Sequence, residues 1–242
     1  MANAIITAFF SVLATVCCWS LARRLYKRFR HPLVNPVFVS VAGIIALLLC
    51  LHVDYDRQYR KGGDLLKSLL DPAVVAFAVP LYRQRRKVVE NARPIAVAVI
   101  IGSVVGIISA SGAVLLLGGS HEIARTLAPK SVTTPIAMKL SEEIGGEEDL
   151  TAGIVIVTGI LGAMFGPEFL RRLRVKSRLA VGLAVGTASH GIGTARMEEE
   201  DRHYGDDEGK AASMIGMILN GVVTALIIHW CLLIMGISVP QN

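Results

Sequence analysis

The chain has 242 residues, 53% of them apolar, and a formal net charge of +6. The apolar residues come in blocks of about 20, the length that crosses a bilayer, which excludes a soluble globular core. Fifteen of the 25 Lys and Arg residues sit in three short connectors, five each in 22–32, 82–93 and 171–178, so the positive charge reads as a bias of cytoplasmic loops and excludes a nucleic-acid partner.

A first helix is expected over 3–21. Basic residues follow it instead of preceding it, and no small-residue cleavage site is evident, so it reads as a retained helix with its N-terminus outside and not as a signal peptide. A second helix over 33–51 runs outward, and the loop 52–64 lies outside. A third over 65–82 returns to Arg83, Arg85, Arg86 and Lys87, and a fourth over 94–117 leaves again, ending at Gly118-Gly119. A fifth over 150–167 must end inside, because Arg171, Arg172, Arg174, Lys176 and Arg178 follow it. The stretch 120–149 therefore begins and ends outside. It is apolar enough to enter the bilayer yet cannot cross, which predicts a re-entrant hairpin with its tip near 129–135. The stretch 179–196, apolar in its first half and rich in Gly and hydroxyls in its second, predicts a second hairpin or broken helix entering from the cytoplasm; the rival is a full crossing that puts an acidic loop, 198–208, outside. A sixth helix covers 211–236. The expected fold class is thus an all-α integral membrane protein of about six transmembrane helices plus two re-entrant or broken hairpins, near 120–149 and 179–196, in an inverted-repeat transporter architecture. It forms one membrane domain over 1–242, with 1–32 a peripheral first helix and basic connector and 33–236 the transport core.

The run Ala128-Pro-Lys-Ser-Val-Thr-Thr-Pro135 holds one cation, three hydroxyls and two prolines. Broken backbone at membrane depth must be satisfied by protein or by a watery cavity, and an intramembrane charge marks a functional site by default. Thr134-Pro135 reads as a helix start, with Thr134 at the cap, whose free N–H groups and positive dipole end suit an anion; Lys130 adds a full charge beside it, and Ser131 and Thr133 add hydroxyls. In the second break, Gly191 and Gly193 offer left-handed angles, Ser189 and Thr194 offer hydroxyls, and His190 offers a donor to a carboxylate or a proton acceptor. Asp71, Arg196 and Asn220 are further polar positions with candidate roles in coupling or gating; packing, capping and anchoring are the bland alternatives. Gly102-x-x-x-Gly106, Gly162-x-x-x-Gly166 and Gly182-x-x-x-Gly186 allow close helix contact. Neither the histidines nor Cys17, Cys18, Cys50 and Cys231 show metal-ligand spacing, so no metal and no cofactor is expected, with coupling to protons or another ion left open. No Gly-x-Ser-x-Gly elbow supports a hydrolase, so no catalytic residue is assigned.

Leu127-Ala-Pro-Lys-Ser-Val-Thr-Thr-Pro-Ile-Ala137, Leu150-Thr-Ala152, Thr158-Gly-Ile-Leu-Gly162 and Gly186-Thr-Ala-Ser-His-Gly-Ile-Gly-Thr-Ala-Arg196 resemble the LrgB/CidB family over about 33–236. The resemblance implies a holin- or antiholin-like protein of a bacterial cytoplasmic (inner) membrane, modulating murein hydrolase activity and lysis with a small LrgA/CidA-like membrane partner. It equally implies kinship with the plastid glycolate/glycerate translocator and with pairs linked to pyruvate movement. Residues and resemblance together lead to an expected transporter of small monocarboxylates by alternating access, binding its organic anion at Lys130, Ser131, Thr133, Thr134, Ser189, His190, Gly191, Gly193 and Thr194. A homo-oligomer, most simply a dimer, in a lipid bilayer is expected. Lysis control through oligomerisation is the alternative.

Overall fold

The computed structural model describes residues 2–29, 31, 34–69, 72, 75, 82, 85–205 and 207–240. Among these the regular structure is helical and no strand occurs. The chain divides into two compact units, Met1–Ala76 and Phe77–Asn242.

The first unit contains α1 (Ala2–Phe29), α2 (Pro36–Cys50), a π-helical turn (Tyr55–Tyr59) and α3 (Arg60–Lys67). The helix expected to stop at 21 runs on through the basic connector. Arg and Lys are good helix formers, and Lys27 and Arg28 meet the negative end of the helix dipole. The start of α2 lies at 36 instead of 33, because the Asn35 side chain accepts from Val37 N (2.9 Å) and Phe38 N (3.3 Å) and Pro36 suits a first turn. The expected loop 52–64 is largely helical and tied to α1. Thr15 Oγ1 and the Tyr59 hydroxyl lie 2.7 Å apart, and Gly62 packs so closely that a Cβ there would stand 2.5 Å from Ser11 Cβ. Asp71 lies outside the described residues. From Thr7 onward α1 is long and apolar enough to cross a membrane; α2, with 15 residues, spans only about 22 Å.

The second unit contains α4 (Arg85–Glu90), α5 (Ala92–Leu116), α6 (His121–Leu127), α7 (Thr134–Glu143), α8 (Glu148–Arg172), α9 (Arg178–Tyr204) and α10 (Glu208–Ile234). Three of these, α5, α8 and α10, are long and apolar enough to cross. Their outer faces remain apolar and exposed, as with Val97, Ile101 and Val105 on α5, Leu161, Phe165 and Phe169 on α8, and Val222, Leu226 and Trp230 on α10. That is what a lipid-facing surface requires. α5 and α10 run in the same direction: Ile95 and Ile215 share one apolar cluster, and Gly112 lies beside Met235 at the other end. α8 runs the opposite way. Its start meets α6 and α7 at Thr126 and Ser141, and its end meets Glu200 through Arg171. Arg171 and Arg172, expected beyond the helix, form its last turn.

The first expected hairpin is present as α6, a break over 128–133, and α7. Both ends lie at the α8 start: Thr126 Oγ1 accepts from Glu147 N (3.0 Å), and Arg125 Nε donates to the Gly145 carbonyl (2.8 Å).

The second is α9, which is two antiparallel arms rather than one rod. His190 departs from helical angles (φ 41°, ψ −135°), and the chain doubles back there. Gly193 returns against Val185 and Ser189, while Arg178 pairs with Asp201 and stacks on the Tyr204 ring at 4.3 Å. A straight helix of 27 residues would hold those ends about 40 Å apart. A full crossing is therefore ruled out, and Glu200 and Asp201 lie at the same end as Arg171 and Arg178. The expected loop is also largely helical, since α9 extends to Tyr204 and α10 begins at Glu208. The acids have partners: Glu198 pairs with Arg202 and Lys210, Glu200 with Arg196 and Arg171, and Asp201 with Arg178. The first arm packs backbone to backbone on α10. A Cβ at Gly186 would stand 1.9 Å from the Ser213 carbonyl oxygen, and one at Gly182 would stand 2.2 Å from that of Gly209. Each 25-residue helix, α5 and α8, is thus followed by a hairpin, and the two hairpins enter from opposite ends.

Candidate functional site

The two tips meet at the middle of α10. Met217 faces the second tip, where a Cβ on Gly191 would stand 3.9 Å from its Sδ; Asn220, about 4.5 Å further along the helix, bonds the first tip. On α5, Gly102 faces Thr187 near the second tip and Gly106 faces Ser131 of the first. The helix-contact spacings read in the sequence are therefore where the scaffold meets the breaks. Gly162 faces Ser189 from α8 as Gly106 faces Ser131 from α5, so each tip presents a serine to a glycine of the helix that precedes its hairpin.

At the first tip, Pro129 is buried and the chain makes two local turns, Lys130 N to Leu127 O (3.1 Å) and Val132 N to Pro129 O (3.2 Å). Thr133, not Thr134, is the N-cap of α7, with φ −64° and ψ 146°, and Pro135 sits in the first turn. Pro135 disfavours the α region for the residue before it; Thr134 is nevertheless drawn into the helix, and the extended cap falls one residue earlier. The Thr133 side chain makes no capping bond. Its Oγ1 is buried and has no partner among the described residues. The first N–H groups of a helix have no intrahelical acceptor, so α7 begins with unspent donors beside an unspent hydroxyl. Lys130 is partly buried and reaches Ser131 Oγ at 3.3 Å; no carboxylate pairs with it among the described residues. Cation, hydroxyl and helix N-terminus follow one another within residues 130–134, a set suited to an anion.

At the second tip, His190 is 5% exposed, and its Nε2 lies 3.0 Å from the Val155 carbonyl of α8. A carbonyl only accepts, so Nε2 carries the proton and the neutral ring keeps Nδ1 as an acceptor. The ring can donate to a carboxylate from Nδ1 only when doubly protonated. The left-handed residue is His190 itself: neither Gly191 nor Gly193 has a positive φ. Such angles on a non-glycine residue cost about 1–3 kcal/mol and persist where surrounding structure imposes them. Gly193 is required for closeness instead, since a Cβ there would stand 2.8 Å from Ser189 Cβ. Thr194 is committed to structure: its Oγ1 donates to the His190 carbonyl (3.0 Å) and lies 2.9 Å from Ser213 Oγ.

Arg196 lies toward the base of the second hairpin, bonded to Glu168 Oε1 (2.9 Å) and Glu200 Oε1 (3.0 Å). Asn220 is fully buried at the junction. Ser103 Oγ donates to its Oδ1 (2.7 Å), and its Nδ2 donates to the Ser131 carbonyl (3.0 Å). The sequence singled out Asn220 without a partner and passed over Ser103, Glu168 and Asp201. Their signal was polarity inside or beside an apolar span.

Two oppositely entering helical hairpins whose tips meet on a membrane-length helix define a multi-pass, all-helical membrane protein. The LrgB-like family model matches residues 15–234, and the chain belongs to that family. It is 38% identical over 192 residues to the uncharacterized protein YxaC of Bacillus subtilis, covering 79% of this chain and 83% of the relative. It is 34% identical over 226 residues to the holin-like protein CidB of Staphylococcus aureus, covering 93% and 96%. It is 37% identical over 214 residues to the uncharacterized protein YwbG of Bacillus subtilis, covering 88% and 92%. No solved structure matches the chain.

Proposed function

We propose that the protein transports small monocarboxylates of the glycolate, glycerate, lactate or pyruvate type by alternating access, with the carboxylate held between the two tips. One observation carries this reading: within residues 130–134, where a helix break reaches the middle of α10, lie an ammonium, Lys130, without a carboxylate partner among the described residues, a hydroxyl, Thr133, without a partner among them, and a helix start with no side-chain cap. Lys130, Thr133 and the first N–H groups of α7 take the carboxylate. His190 Nδ1 accepts from a substrate hydroxyl when the ring is neutral and donates when it is charged, which gives transport a route to proton coupling. In this reading the basic connectors lie on the cytoplasmic side of a bacterial inner membrane, and the N-terminus lies outside.

The test is tracer uptake of two- and three-carbon acids into liposomes holding the purified protein. Saturable uptake is expected, abolished by Lys130→Ala and by His190→Ala while the protein stays folded. Uptake indifferent to both substitutions rejects the assignment. The name of the relative CidB supports a second reading, a holin-like pore. Leakage of a trapped dye without saturation or chemical preference would favour it.

A further inference from the structure

We infer that Asn220 is the positioning residue of the candidate anion site: it fixes the backbone of the Lys130 tip from the middle of α10. Among the described residues, its bond to the Ser131 carbonyl is the single hydrogen bond joining the break 128–133 to any element other than α6 and α7, which flank it. The tip's remaining hydrogen bonds are local turns. The second tip, by contrast, is bonded to α8 through His190 and to α10 through Thr194. The amide is itself held in one orientation: the Ser131 carbonyl only accepts and so requires Nδ2, Thr224 from the next turn donates to Oδ1 (3.3 Å), and Ser103 from α5 lies 2.7 Å from Oδ1, its one hydroxyl proton shared with the Val99 carbonyl. That leaves Nδ2 aimed at Ser131. Full burial of Asn220 makes each of these bonds costly to leave unmade. Ser131 is the neighbour of Lys130 in the chain and its hydrogen-bond partner, so the direction of the ammonium is set by where Asn220 holds the tip. The inference rests on the transport reading for its uptake measurement alone.

Asn220→Leu is the informative variant. It keeps the number of side-chain heavy atoms and removes the donor to Ser131, while Ser103 retains the Val99 carbonyl as acceptor (2.8 Å). Amide hydrogen exchange is followed in the full chain in lipid nanodiscs. The segment 128–137 is expected to exchange faster by about tenfold, the factor that one lost buried hydrogen bond corresponds to, while 186–194 is unchanged. Where that variant does not fold, Ser103→Ala gives a smaller acceleration confined to the same segment. Acceleration spread equally over both tips, or none in 128–137, overturns the inference. In uptake, Asn220→Leu raises KM with kcat nearly kept, as when ground state and transition state lose binding alike; an unchanged KM overturns it as well. If the parent protein moves no acid, the transport reading fails, while the exchange result still decides the role of Asn220.

Discussion

The two hairpins solve the same problem, a chain that enters the bundle and turns back, with different physical means. The first is short, breaks over 128–133 between Pro129 and the α7 start at Thr134-Pro135, and is held at its tip by one side-chain amide. The second turns on one strained residue, seats its first arm on α10 with no room for a side chain at Gly182 or Gly186, and is clamped at its base by ion pairs. Close backbone packing and buried charge pairing make the second hairpin a fixed wedge. The first leaves polar groups uncommitted: among the described residues Lys130 has no carboxylate and Thr133 Oγ1 no partner. The difference assigns structure mainly to one hairpin and ligand chemistry mainly to the other, although the chain lists hydroxyls and small residues in both.

The largest expected effect tests the wedge. Gly186→Ala drives a Cβ into the Ser213 carbonyl oxygen and is expected to cost about 3 kcal/mol, the upper end of ordinary overpacking. Gly106→Ala, facing the first tip with 3.5 Å to Ser131 Oγ, is expected to change stability by no more than about 1 kcal/mol. Unfolding temperatures of both variants in one detergent measure the contrast. Equal losses would mean that the hairpins are packed alike.

A smaller effect is expected at the base of the wedge. Asp201 is 1% exposed; it pairs with Arg178 and accepts from Lys210 N (2.7 Å), near the start of α10. One carboxylate thus ties both arms to the next helix. Asp201→Ala should cost about 2 kcal/mol, less than breaking a fully buried pair because Arg178 keeps 23% of its side-chain surface exposed. Asp201→Asn, which still accepts from Lys210, should recover part of the loss. Thermal unfolding decides, and two equal variants would show that the charge is dispensable.

These contrasts also mark what the sequence could and could not convey. The first hairpin was legible because prolines and a charge in an apolar setting are local signals, and because the orientation of its flanking helices left no other path. The turn at His190 was legible as a break, but not as a reversal carried by the histidine: glycines beside it looked like the flexible positions, yet they serve close packing instead. The acids after Arg196 read as a loop because three of their partners lie outside that stretch: Arg171 on α8, Arg178 at the start of α9 and Lys210 on α10. Asn220 had the same difficulty. A polar residue in an apolar helix is visible, but its bonds to Ser103 and Ser131 span 117 and 89 positions of chain, and no local pattern encodes them.

The smallest stability change is also the sharpest probe of the comparison. Thr133 Oγ1 is buried without a partner, so removing it leaves no hydrogen bond unmade. Thr133→Val keeps the shape and should leave the unfolding temperature unchanged or slightly higher. A polar group retained at such a cost needs another use, and the open helix start beside it suggests a bound anion. The same variant should therefore raise the KM for acid uptake by about tenfold, the weight of one hydrogen bond made only when the site is filled. A drop in stability with unchanged KM would return Thr133 to the packing of the first hairpin and erase the division of labour between the tips.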